Sequence, residues 1–239
     1  MNITGTTVLV TGANRGLGRA LVDALLTRGA GRVYAAARDV TSIEHRDDNR
    51  VVPLAIDLTS PPQIHAAAEH ASDARLLINN ASTAAFTDPF STDRAALEQE
   101  IQTNYLGTLD AILAFVPVIE RNGGGAVVNV LSLLSLASMP PMAGYSASKA
   151  AAHSMTQALR PGLRARGIEV HGVYPGGIDT DMLAGFDVPK APPAHVATRI
   201  LDGIAAGRED IFPDPTSEQM SVTWLSDPKA FERAFSGAS

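Results

Sequence analysis

Short, almost uninterrupted apolar runs recur along the chain, separated by longer stretches in which apolar residues return every three or four positions. The runs, rich in Val, Ile, Leu and Ala, have the character of strands buried on both faces, and the stretches between them have the helical period. Strands are predicted at 6–10, 32–37, 51–56, 76–79, 126–131 and 169–174, with a short seventh at 210–212. Helices are predicted at 16–28, 62–71, 93–121 with a break, 146–166 and 193–206. Strand and helix in alternation specify a parallel sheet with crossover helices, so the pattern predicts an α/β, doubly wound, mostly parallel sheet of six or seven strands with helices on both faces. Gly123-Gly124-Gly125 closes the long central helix and turns the chain into the fifth strand. Neither an internal repeat nor a linker is visible, and one domain is expected over 1–239.

Bulk properties narrow the partners. A chain of 239 residues can bury a sizeable core in one domain. A net charge of -6 offers no general basic footprint for nucleic acid or an anionic membrane. Without cysteine there are neither disulfides nor thiolate catalysis. Met1-Asn2-Ile3-Thr4-Gly5 lacks the basic and apolar regions of a leader, and no apolar run has membrane-spanning length, so a soluble cytoplasmic protein is expected. The six histidines form no HExxH or close cluster, which excludes an evident metal site, and no Gly-x-Ser-x-Gly elbow suggests a hydrolase.

Two segments carry the candidate chemistry. After the first strand comes Thr11-Gly12-Ala13-Asn14-Arg15-Gly16-Leu17-Gly18 and then a helical pattern. Strand, glycine-rich turn and helix in that order build a dinucleotide pocket, because small residues let the backbone approach a pyrophosphate and the helix N-terminus offers unpaired N–H groups. Further on, Tyr145 and Lys149 are four apart and share a helix face, so the ammonium is expected to favour phenolate and lower the phenol's pKa. Alone, that spacing is common among amphipathic neighbours; its company gives it weight.

The glycine spacing Gly12-x-x-x-Gly16-x-Gly18 together with Tyr145-x-x-x-Lys149 resembles the classical short-chain dehydrogenase/reductase family, from about Thr6 to Met182. Other matches fall in the family's order: Asp57, Asn79-Asn80-Ala81, Asn104, Ser132 thirteen before Tyr145, and Pro175-Gly176-Gly177-Ile178-Asp179-Thr180. The resemblance implies a Rossmann fold and hydride transfer between a nicotinamide cofactor and a ketone, aldehyde or secondary alcohol. It assigns Tyr145 as general acid/base, Ser132 to the substrate oxygen, Lys149 to the nicotinamide ribose, and Asn104 to a water linking Lys149 to solvent. Cofactor contacts carried over are Gly12, Asn14, Arg15, Gly16, Leu17, Gly18, Asp57, Leu58, Asn79, Asn80, Ala81, Pro175, Gly176, Ile178 and Thr180.

NADP(H) is expected over NAD(H). Ala37 stands where NAD-using members carry an acid, while Arg38 and Arg15 offer guanidiniums for a 2'-phosphate. Asp39, one place late, is the feature that favours NAD. Leu134, Met139, Met142, Met182 and Phe186 are candidates for an apolar substrate pocket, with 181–192 a short substrate loop. The chain departs from the family at Ser82, where a glycine is usual, and in the tail 214–239, so the homodimer or homotetramer that the resemblance implies is expected without a settled choice. A non-catalytic NADPH-binding regulator or scaffold is the alternative reading, although such a protein has little need of the full Asn104, Ser132, Tyr145, Lys149 set.

Overall fold

In the computed structural model, described for all residues except 45–46, 87–89, 91–92 and 238–239, seven parallel strands form one sheet. They are β1 (Thr7–Thr11), β2 (Arg32–Ala37), β3 (Val51–Ala55), β4 (Leu76–Asn79), β5 (Gly125–Val130), β6 (Ile168–Val173) and β7 (Asp210–Ile211), in the order β3-β2-β1-β4-β5-β6-β7. The order reverses between β1 and β4, the point at which such sheets leave a crevice at their carboxyl ends. Alternate side chains of each strand serve opposite faces. Val8 and Val10 join one core with Leu17, Leu21 and Leu25 of α1 (Gly16–Thr27) and Val196 and Ile200 of α6 (Pro193–Ala205). Leu9 and Leu77 join the other with Ile64 of α2 (Pro61–His70), Ile112 and Phe115 of α4 (Gly107–Arg121) and Met155 of α5 (Ala143–Arg164).

The predicted elements are present, most with ends displaced by a residue or two. The long helix does break: α3 (Arg94–Ile101) passes through a wide π turn, Gln102–Leu106, into α4. Its neighbour α5 starts three residues before the predicted 146, because Pro140–Met142 form a tight 3-10 turn that runs straight into it. Tyr145 consequently sits in the helix's first turn. The tail, unassigned from sequence, folds as α7 (Pro215–Ser226) and α8 (Pro228–Ser236). Asp214 caps α7 by accepting from the Ser217 N–H at 2.9 Å, and Asp227 caps α8 through the N–H groups of Lys229 and Ala230. Trp224 of α7 lies against Phe212, ring centroids 6.4 Å apart, tying the tail to the sheet. No helix among the described residues is long and apolar enough to cross a membrane.

Candidate functional site

The glycine turn at the end of β1 is held by its neighbours. Gly12 has φ +65°, a left-handed conformation that glycine alone adopts without strain, and a Cβ there would lie 2.9 Å from the Ala81 backbone. At Gly18 a Cβ would stand 1.9 Å from the Gly12 carbonyl oxygen, so the turn closes only with hydrogen in that place. Thr11 Oγ1 accepts from the N–H groups of Asn80 and Ala81, each at 3.0 Å, while the Asn80 side-chain amide donates to the Thr11 and Gly12 carbonyls. Asn80 thus pins the turn from behind. Arg15 precedes α1 without any side-chain cap, which leaves the first N–H groups of the helix for an anion. Thr180 packs at this turn, its Cγ2 3.0 Å from where a Gly16 Cβ would be. A bare backbone cradle, unspent helix N–H groups and Thr180 beside them suit the pyrophosphate of a dinucleotide.

Across the crevice, Tyr145, Ser132 and Lys149 are brought together by α5 and the end of β5. The Tyr145 side chain is 8% exposed and Lys149 4%, so both functional groups are inside the protein. Burial drives the phenol up to about 12; hydrogen bonding by the hydroxyls of Ser132 and then Ser82 pulls the other way, and the charge of Glu100 adds to the rise. Lys149 Nζ donates to the Val130 carbonyl at 2.8 Å and lies 5.6 Å from the centre of the Tyr145 ring. Burial pushes its own pKa down to about 7. The expectation that Lys149 sets a lowered phenol pKa is therefore corrected for the protein by itself: an amine half neutral at pH 7 is a weak source of positive charge, and desolvation of the phenol prevails.

Asn104 lies in the π turn, 2% exposed. Its amide is spent on structure: Oδ1 accepts from the Thr83 N–H at 2.9 Å, and Nδ2 donates to the Thr83 carbonyl at 2.8 Å and to Ser148 Oγ at 2.9 Å. Ser148 Oγ in turn donates a hydrogen bond to the Tyr145 carbonyl at 2.7 Å, so Asn104 links the strap that follows β4, around Ser82 and Thr83, to the helix that carries the phenol. Asn79 donates to Asn129 at 2.9 Å and is buried in the sheet rather than open to the crevice.

The residues expected to select the cofactor divide. Asp39 accepts from the Thr41 N–H at 2.8 Å and from its hydroxyl at 2.7 Å, capping the turn Val40–Ser42. Arg38 lies near enough to Asp57 to favour that carboxylate's charge, although the Thr59 N–H does more to hold its pKa down. Asp57 also bonds the Thr59 hydroxyl at 2.8 Å, so one carboxylate oxygen serves the local turn. Arg15 does not converge on Arg38 here; its guanidinium pairs with Asp181 at 3.3 Å, both side chains largely exposed.

Of the pocket candidates, Leu134, Met139 and Met142 do assemble around Tyr145, joined by Ala84, Phe86 and Phe235. Phe186 reaches this group through a tilted ring contact with Phe86, centroids 4.9 Å apart. Met182 is not among them. Ala84, Phe86 and Phe235 were missed from sequence, as were two acidic residues, Glu100 and Asp214. Glu100, 2% exposed, accepts from the Ala85 N–H at 2.8 Å; its other oxygen has no hydrogen-bond partner among the described residues, and burial raises its pKa. Asp214, besides capping α7, accepts from the Gly176 N–H at 2.9 Å and fixes the Pro175-Gly176 loop. The Asp214-Pro215 pair was a legible helix start; only the fold could reveal that Glu100 meets the strap after β4.

A family model for short chain dehydrogenases matches residues 6–189, the span that contains the turn, the strap and the Tyr145 helix. The chain belongs to that family. An uncharacterised oxidoreductase of Myxococcus xanthus (strain DK1622) is 31% identical over 221 residues, 87% of each chain. A short chain dehydrogenase from Burkholderia cenocepacia J2315, solved in complex with NADP, superposes with a TM-score of 0.93 at 37% identity, covering 98% of this chain and 99% of that one. A short chain dehydrogenase/reductase from Burkholderia phymatum, in complex with NAD, shares the fold at TM-score 0.84, 21% identity and 96% of each chain. This short chain dehydrogenase is thus an oxidoreductase acting on CH–OH or C=O groups of small molecules with a nicotinamide cofactor.

Proposed function

We infer that this protein is an NADPH-dependent carbonyl reductase or alcohol dehydrogenase for ketones, aldehydes or secondary alcohols with an apolar body. The observation that carries this reading is the Tyr145 phenol, held beside the Ser132 hydroxyl at the edge of an apolar cluster, with the buried Lys149 one helical turn on. When bound, the nicotinamide supplies hydride to the carbonyl carbon. Tyr145 donates its proton to the developing alkoxide, and Ser132 donates a hydrogen bond to the same oxygen, where negative charge grows. Lys149 offers its amine to the nicotinamide ribose hydroxyls. Held by those hydroxyls, the Lys149 amine would keep its charged form and so bring the Tyr145 pKa down. Asn104, its amide engaged by Thr83 and Ser148, orients the strap and α5. Oxidation of an alcohol retraces these steps.

Gly12, Asn14, Arg15, Gly16, Leu17 and Gly18 would hold the pyrophosphate and adenosine side, with Asp57, Leu58, Asn80 and Ala81 below it. Pro175, Gly176 and Ile178 would close on the nicotinamide end, with Thr180 reaching the pyrophosphate. NADP is favoured because Ala37 offers no acid, Asp39 is engaged as a cap, and Arg38 stands beside them. The NADP complex of the Burkholderia cenocepacia relative supports the same choice. The loop 181–192 is the substrate loop in this reading. Self-association as a homodimer or homotetramer belongs to it too. The test is loss of NADPH absorbance with a panel of ketones, aldehydes and diketones, against NADH and against Tyr145→Phe. Preferential use of NADH would overturn the cofactor assignment.

A further inference from the structure

The C-terminal chain does not end at the sheet; it bends back to the catalytic phenol. Phe231 anchors α8, 1% exposed, and Phe235, one turn on, lies 5.1 Å from it between ring centroids. Phe235 joins neither main core. It packs instead against the small cluster of Leu134, Met142 and Tyr145, together with Ala84, Phe86 and Met139. Phe86 comes from the strap that follows β4, and Phe186, from the loop after β6, lies tilted against it with planes 30° apart. Two phenyl rings, Phe86 and Phe235, from segments distant in sequence therefore pack beside the phenol, and Phe186 extends this surface outward through Phe86.

Two of the three are held in ways that core filling does not ask for. Phe86 has φ +49°, in the left-handed region that bulky residues avoid. Phe186 keeps 37% of its surface exposed although an apolar cluster lies next to it. Strain and exposure at a site's mouth are what a surface kept for a ligand shows. The chemistry of the wall is specific as well. Ring faces gain from a planar π partner over and above buried area, and the thioethers of Met139 and Met142 suit ring edges.

We propose that Phe86, Phe186 and Phe235 form an aromatic wall, completed by α8, that selects carbonyl substrates bearing a planar, unsaturated ring next to the carbonyl: aryl ketones and the matching secondary alcohols. The proposal rests on Tyr145 being the catalytic acid/base. A saturated ring of the same size buries similar area but cannot stack, so one ring contact favours the planar guest roughly 3- to 10-fold.

Binding is measured first in Tyr145→Phe with NADPH present, where turnover does not interfere. Dissociation constants of acetophenone and cyclohexyl methyl ketone are read by ligand-observed NMR, with Phe235 intact and as Phe235→Leu. The expected result is acetophenone tighter by about 3- to 10-fold, a ratio that falls towards one in Phe235→Leu while the cyclohexyl compound changes less than about twofold. Phe86→Leu gives the same loss without touching α8, which keeps the test valid if Phe235→Leu unfolds the helix. Phe231→Leu lowers stability and leaves the ratio alone. Equal affinities in the parent, or a ratio that neither Phe235→Leu nor Phe86→Leu moves, overturns the proposal. Turnover by the wild type is scored separately: a preserved binding ratio without NADPH oxidation refutes the catalytic reading and leaves the wall standing, and turnover without aryl preference does the reverse.

Discussion

Replacing Lys149 by methionine is expected to make the cofactor-free protein more stable and inactive. The amine is 4% exposed, its hydrogen bond goes to the Val130 carbonyl, and burial lowers its pKa from 10.5 to about 7. Because the folded pKa lies below the unfolded one, the unfolded chain binds the proton more tightly between those values. Stability therefore rises as pH goes from about 7 towards 10.5, and the cost of burial is full below that window. At pH 7 a shift of this size costs about 4 kcal/mol, and at pH 9.5 only about 1 kcal/mol remains. Methionine removes the cost but also the hydrogen bond to Val130, worth about 1 kcal/mol net, and leaves that carbonyl short of a donor. The balance is a gain of about 2 kcal/mol for Lys149→Met at pH 7, gone or reversed at pH 9.5. Urea unfolding of both proteins at the two pH values measures it directly. The Tyr145 phenol, raised from 10 to about 12, loses its stabilising effect only as pH climbs through that higher range and stays out of the window. A variant less stable than wild type at pH 7, or a stability difference that is the same at both pH values, refutes the reasoning.

Three further outcomes are expected. Gly18→Ala sets a methyl against the Gly12 carbonyl, where no flexible side chain can yield, so NADPH affinity falls at least about 10-fold by isothermal titration; retained affinity would show that the turn is not the pyrophosphate cradle. Arg38→Ala raises the KM for NADPH about 10-fold and leaves that for NADH within about twofold, and equal effects would remove Arg38 from the 2'-phosphate. Ser82→Gly withdraws one of the two hydroxyls that favour the phenolate, so the pKa on the kcat/KM profile moves up by about half a unit; an unmoved profile would leave Ser82 without a part in proton transfer.

The sheet was readable because its strands are buried on both faces and so appear as apolar runs, as in Thr7–Thr11 and Gly125–Val130. The turn and the Tyr145 helix were readable because glycine and the spacing of four are local signals. The break in the central helix was expected, but not that a π turn would make it and turn Asn104 inward to Thr83 and Ser148. The tail was the largest omission, although Asp214-Pro215 and Asp227-Pro228 are both N-cap and first-turn proline pairs; α7 carries too little apolar patterning to stand out beside them. Glu100 and Phe235 were out of reach for another reason. Each gains its meaning from a contact with the Tyr145 surroundings across more than forty residues of chain, and no local pattern encodes such a contact. The lowered phenol pKa failed for a related reason, since helix spacing shows which groups are neighbours but not how deeply they are buried.

The most direct test of the central claim is NADPH oxidation by wild type and Tyr145→Phe, each shown to be folded and to bind NADPH, across the carbonyl panel. The account requires turnover by the wild type and a loss of at least about 100-fold in kcat for the variant, with NADPH affinity unchanged. Turnover that survives the loss of the phenol hydroxyl would contradict it.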